Sequence, residues 1–187
     1  MGDQDLVSAA APAAPLVRSF APACRGDARV LILGSMPGVA SLTAGRYYAH
    51  PRNAFWPIMG ELCGAGPALP YDARLARLAD AGIALWDVIA RCTRAGSLDS
   101  AIAADSIEAN DFAALYAACP ALTHVFFNGT AAATAYRRHV AADLAPAALR
   151  FVRLPSTSPA HAARSLADKL TAWQAVSAAL GAQRRAA

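Results

Sequence analysis

The chain has no close cysteine pair, no long basic run, little charge of either sign, and no apolar stretch long enough to span a bilayer. Each absence removes a class of protein. Cys24, Cys63, Cys92 and Cys119 lie too far apart for the close ligand pairs of zinc and iron–sulfur frameworks, so no metal and no cofactor is expected. An even cysteine count leaves disulfides open, but no export signal is evident, which favours free thiols in a reducing compartment. Asp3 and Asp5 precede any basic residue, which argues against a secretory leader and for a cytoplasmic protein. The phosphate loop GxxxxGK[ST], the dinucleotide turn GxGxxG, the zinc helix HExxH and the nucleophile elbow GxSxG are all missing. Ser35, in GSMPG, lacks the flanking spacing of an elbow serine, which leaves a serine hydrolase with little support.

What is present describes a globular domain. Charged residues are 16% of the 187 and hydrophobic ones 56%, with alanine contributing much of the latter. Residues 1–16 read as a disordered Ala/Pro leader, 17–181 as one domain, and 182–187 as a loose tail. A net charge of +4 and a pI near 9.1 lean toward a polyanionic partner, although the arginines are scattered along the chain.

Periodicity gives alternating strands and helices. Strands are expected at Arg29–Leu33, Ile83–Val88, Thr123–Phe127 and Arg150–Leu154. Helices are expected from Asn53 as cap to Cys63, over Tyr71–Ala81 with Gly82 as stop, and over Asp111–Cys119 with Asn110 as cap. Two more begin near Thr130 and after PSTSPAHAARS, the last with apolar positions at Leu166, Leu170, Trp173, Val176 and Leu180. The segment Arg91–Ile107 reads as a polar surface excursion with one short helix. This alternation predicts an α/β fold: three α/β/α layers around a central, mainly parallel four-stranded sheet.

A parallel sheet binds ligands at the C-terminal ends of its strands. There the sequence places Gly34-Ser35-Met36-Pro37-Gly38, Asp87, Asn128 and Pro155-Ser156-Thr157-Ser158. The loop after the first of these strands also carries YYAHPRNAFW. Aromatic faces beside amide and imidazole groups suit a flat heterocycle such as a nucleobase.

GSMPG, YYAHPRNAFW and, after the last strand, LPSTSPAH resemble the uracil-DNA glycosylase superfamily, most of all its hypoxanthine-DNA (deoxyinosine) glycosylase branch. AHPRNAFW has a looser likeness to the mismatch-specific uracil/thymine glycosylases. The resemblance covers roughly Val30 to Trp173. It implies a monofunctional, cofactor-free repair enzyme that flips a deaminated base, hypoxanthine first, out of DNA and hydrolyses its N-glycosidic bond. Such an enzyme would work as a monomer, away from membranes, at the nucleoid of a bacterial cell. Most of the superfamily has Asp or Asn two residues after the first motif glycine to orient water; here Met36 stands there. The resemblance shifts that duty to Asn53.

It further implies base contacts from Gly34, Ser35, Met36, Pro37, Tyr48, His50, Phe55 and Asn128, with Tyr48 stacking on the base. DNA-backbone contacts fall to Ser156, Thr157 and Ser158, whose hydroxyls and free amides before a helix suit phosphate oxygens, and to His161. The alternatives are a mismatch-type uracil/thymine glycosylase and a nucleic-acid-binding module that has lost its chemistry, the latter suggested by Met36.

Overall fold

The computed structural model describes residues 14–140 and 142–184. Its centre is a parallel sheet of β2 (Val30–Gly34), β3 (Ile83–Asp87), β6 (His124–Asn128) and β7 (Arg150–Leu154), in the order β3-β2-β6-β7. β2, flanked on both sides, is buried along its whole length and so reads as the unbroken apolar run VLILG. The four expected strands are these, each within one residue of its expected ends.

Helices α2 (Phe55–Cys63), α3 (Tyr71–Asp80) and α6 (Leu166–Arg184) pack with one another and on β2 and β3. Helix α5 (Thr130–His139) packs on β6, β2 and β7. Beside it, Phe112 of α4 (Phe112–Ala118) meets Tyr136 edge-on at 5.1 Å and Trp86 at 5.4 Å. The expected three layers are present. Gly64, in the left-handed region at φ 75, ends α2: its N–H donates to Gly60 O, and the next amide, Ala65 N, donates to Met59 O.

Several expectations are corrected. β4 (Ile89–Thr93), which follows β3 after a single residue, runs into the segment read as an irregular excursion. β4 pairs antiparallel with β1 (Leu16–Arg18) and β5 (Glu108–Ala109) in a second, three-stranded sheet. Instead of one short helix, two 3₁₀ turns, Asp99–Ala101 and Ala104–Ser106, complete it. Leu16 pairs with Thr93, so ordered structure begins inside the expected leader; residues 1–13 of that leader lie outside the described residues. Likewise α6 runs to Arg184, into the expected tail, of which 185–187 lie outside the described residues.

The cap of α4 is Asp111, whose carboxylate accepts from Ala114 N at 2.9 Å. Asn110 instead donates to Asp87 O at 2.8 Å and ties the second sheet to the end of β3. A short helix, α1 (Val39–Ala44), was not expected at all. Among the described residues no helix is long and apolar enough to cross a membrane.

Candidate active site

All four parallel strands end on one edge, and a cavity of about 160 Å³ opens there. Gly34 to Gly38 form one wall, Tyr48, His50 and Asn53 a second, and Ser156 to Pro159 a third, with Asp87 and Asn128 at the strand ends. Of the residues expected at the base, the structure brings together Gly34, Ser35, Met36, Pro37, Tyr48, His50, Asn53 and Asn128. Ser156, Thr157 and Ser158, expected on the DNA backbone, line the same cavity.

Phe55 is a correction. It is fully buried at the start of α2 and does not line the cavity; its ring stacks behind Tyr48, with centroids 3.9 Å apart and planes 21° apart. Its other neighbours, Trp56 and Trp173, meet it edge-on. Phe55 therefore supports the tyrosine rather than touching a ligand.

Tyr48 is the one non-glycine among the described residues with positive φ, at 53°. A left-handed tyrosine costs on the order of 1–3 kcal/mol and persists only where its surroundings impose it. They do so here by holding its predecessor. Tyr47 N donates to Tyr71 Oη, Tyr47 Oη donates to Ala21 O, and Tyr47 O accepts from the Trp56 indole. With Tyr47 fixed in the core, the turn aims Tyr48 into the site. Its hydroxyl is buried without a hydrogen-bond partner among the described residues, and burial raises its pKa.

Asn53 serves two ends. Expected as the cap of α2, it stands one residue before the N-cap, Ala54; its Oδ1 still accepts from Phe55 N, the first amide of the helix, at 3.0 Å, while its Nδ2 has no partner among the described residues. His50 Nδ1 accepts from Arg52 N at 3.1 Å, so a neutral ring carries its proton on Nε2 as a donor.

The segment after β7 is fastened from several directions. The Trp173 indole donates to Pro155 O, Gly129 N donates to Leu154 O, and Lys169 Nζ donates to His161 O. Thr157 O accepts from Ala54 N at 3.0 Å, which joins the two motif segments directly. Gly129, at φ 99, must be glycine: a Cβ there would stand 2.8 Å from Ser156 Cβ. His161 lies outside the cavity, in a neighbouring groove of about 650 Å³ that also holds Thr130, Arg153, Ser156, Ser158 and Arg164. Its Nδ1 is buried without a partner among the described residues.

Sequence reasoning set Asp87 aside and missed Asp99 and Arg94. Asp87 is buried at the end of β3, and its Oδ2 has no partner among the described residues. Burial above all, then the charge of Asp99, pushes its carboxyl up to about 7, against the pull of Arg94. Only glycine fits opposite, since a Cβ on Gly34 would lie 2.3 Å from Asp87 Oδ1. Asp99 is exposed at the rim as a residue, and its Oδ1 accepts from Ser35 Oγ at 2.7 Å. Desolvation of its carboxyl raises its pKa, while the Ser35 hydrogen bond and Arg94 lower it. Arg94 is fully buried and donates from Nη2 to Pro37 O. The one available signal was Asp87, a carboxylate closing a fully apolar strand.

The chain is 37% identical to a hypoxanthine DNA glycosylase of Methanosarcina barkeri, over 113 residues that are 60% of this chain and 70% of the relative. It is 36% identical to the hypoxanthine DNA glycosylase of Methanosarcina acetivorans over the same shares. A solution NMR structure from Methanosarcina acetivorans, provisionally described as a uracil DNA glycosylase, superposes with a TM-score of 0.74 at 32% identity. That match covers 89% of this chain and 99% of the other. The family model for the uracil DNA glycosylase superfamily matches residues 21–177. By that match the chain belongs to the uracil DNA glycosylase superfamily.

Proposed function

We propose that this DNA glycosylase hydrolyses the N-glycosidic bond of hypoxanthine flipped out of DNA. The observation that carries the reading is the cavity at the sheet edge. Its volume of about 160 Å³ compares with the roughly 150 Å³ that accepts a benzene ring, and polar groups without partners face it. Identity of 37% to a protein named for hypoxanthine supports the choice of base.

Glycosidic cleavage leaves positive charge on the sugar and negative charge on the departing base. Groups that meet those charges only in the transition state accelerate the reaction. Tyr48, backed by Phe55, presents a ring for the flipped base to stack on. The free Nδ2 of Asn53 and Nε2 of His50 are donors for the departing purine. A purine also accepts a proton at N7, which spreads the charge it leaves with. Asn53 has the catalytic role. The groove holding Arg153, Arg164 and His161 takes the phosphate backbone. The enzyme works as a cytoplasmic monomer without metal or cofactor.

A second reading, uracil excision, is favoured by the description of the 32% identical NMR structure. Uracil and hypoxanthine share one edge, a ring N–H beside a carbonyl, and differ in size. Strand-release assays on duplexes carrying deoxyinosine, uracil or xanthine, with and without EDTA, separate the readings. Fast hypoxanthine release with weak uracil release is expected. Uracil released as fast as hypoxanthine would favour the second reading. No release from any duplex, despite binding, would leave a module without chemistry.

A further inference from the structure

The excursion after β4 is docked on the first motif loop by three contacts. Ser35 Oγ donates to Asp99 Oδ1 at 2.7 Å, Val39 N donates to Ser97 Oγ at 2.9 Å, and Arg94 Nη2 donates to Pro37 O. A segment that merely covered the surface would not bury a guanidinium to reach that loop. The docking fixes where Asp99 stands. Asp99, Asn128, Ser156 and Ser158 border both the cavity and the neighbouring groove.

That boundary has a chemical meaning, which rests on the proposed function. If the base enters the cavity and the phosphates follow the groove, the sugar between them sits at the boundary, with C1′ nearest the cavity. Of the residues at the boundary, Asp99 alone carries a carboxylate. Its Oδ1 is engaged by Ser35, and its Oδ2 has no partner among the described residues. Met36, at the place where most of the superfamily carries Asp or Asn, has no group that could hold a water there.

We propose that Asp99 is the carboxylate that holds and deprotonates the attacking water, in the place left by Met36. In this step the C1′–N9 bond breaks and its electron pair leaves with the purine. The water oxygen bonds to C1′, and its proton passes to Asp99 and then to solvent. The purine takes one proton from solvent, so one water is consumed overall.

Two carboxyls near one site divide the roles of acid and base when their surroundings push them apart. Asp87, buried with an oxygen unpartnered among the described residues, is the one that keeps its proton to higher pH. Desolvation raises the Asp99 carboxyl as well, but the Ser35 hydroxyl and Arg94 favour its charged form, so Asp99 is the one that ionises first. The other titratable and charged groups around it are Cys92 and Arg94, Tyr48 and His50 across the cavity, and Arg153, His161 and Arg164 in the groove.

The test uses the full chain with Asp99→Asn and, separately, Ser35→Ala. Three quantities are measured: single-turnover release of hypoxanthine, Kd for a duplex carrying a tetrahydrofuran abasic mimic, and melting temperature. Asp99→Asn should lose about 100- to 1,000-fold in rate with Kd and melting unchanged. The wild-type rate should fall toward acid with a midpoint above the ordinary aspartate range of about 3.9, and Asp99→Asn should lose that limb. Ser35→Ala removes a hydrogen bond to the ionised carboxylate, so the limb should move to higher pH.

An undiminished rate in Asp99→Asn overturns the proposal. So does a rate lost in step with affinity and melting, which would mark a structural role. Where Asp99→Asn fails to fold, an unshifted limb in Ser35→Ala overturns it. A wild-type chain inert on every deaminated base removes the glycosidic reading, and this role with it. An active wild type with an equally active Asp99→Asn removes this role alone.

Discussion

Asn128 and Thr157 are joined by two hydrogen bonds of 2.8 Å, the carboxamide donating to Oγ1 and accepting from the Thr157 amide. A residue expected to read the base therefore holds the second motif loop as well, with one N–H left over for a ligand. Thr157 is almost wholly buried, so Asn128→Ala leaves its amide without a partner. The expected loss is about 1–3 kcal/mol of stability, read from the denaturant midpoint. An unchanged midpoint would show that the clamp contributes nothing.

At Asn53 the cap and the chemistry can be separated. Asn53→Asp keeps an oxygen for Phe55 N and removes the Nδ2 donor, whereas Asn53→Ala removes both. Asn53→Ala should cost about 1 kcal/mol of stability through the lost cap. Both variants should lose about 2.7–4 kcal/mol of transition-state stabilisation, roughly 100- to 1,000-fold in single-turnover rate. An Asn53→Asp variant that melts like the wild type and turns over as fast would assign the residue to capping alone.

Asp87 makes stability depend on pH in an unusual direction. Burial raises its pKa in the folded chain to about 7, so between the ordinary aspartate range and about pH 7 the folded state binds more protons than the unfolded one. Stability then falls as pH rises through that window and levels off above it. The ceiling on this term is about 4 kcal/mol, at 1.36 kcal/mol per pH unit between about 3.9 and about 7. Asp87→Asn should flatten that part of the profile, as measured by urea denaturation from pH 4 to 8. A wild-type profile that rises across the same window would contradict the assignment.

The serines of the second motif spend their oxygens, not their protons, on the fold. Ser156 Oγ accepts from Ser158 N and Ser158 Oγ accepts from Ala160 N, both at 3.2 Å. Each hydroxyl hydrogen remains available to a phosphate. Replacing both serines with alanine should weaken DNA binding without altering its salt dependence, because a hydroxyl neutralises no charge. Arg153→Ala or Arg164→Ala should instead lower the slope of log K against log salt by about one. Identical slopes in all variants would place the phosphates elsewhere.

Much of the fold was legible because buried parallel strands announce themselves as continuous apolar runs. VLILG, IALWD and HVFFN needed no partner to be recognised. The second sheet gave no such sign. β1 is three partly exposed residues whose partner lies far along the chain, and IARCT alternates too briefly to separate a strand from a loop. VASLTA, at six residues, is too short for periodicity to register as a helix.

The site divided along the same line. Gly34–Pro37, Tyr48, His50, Asn53 and the PSTS segment stand out locally, by turn chemistry and aromatic crowding. Arg94 and Asp99 look like solvated charges in a polar loop, and only the docking of that loop shows otherwise. Phe55 was misplaced because helix phase alone did not say which neighbour its ring would meet.

The hydrogen bond from Ala54 N to Thr157 O closes a loop through more than half of the chain. Neither motif segment can therefore be transplanted by itself. A graft of the aromatic loop onto another α/β sheet would arrive without the strand-end segment that registers it, and truncation before β7 would leave Asn53 next to an open edge. Activity in this protein is thus a property of the completed chain, and recovery of turnover during refolding should trail the burial of Trp173 rather than precede it.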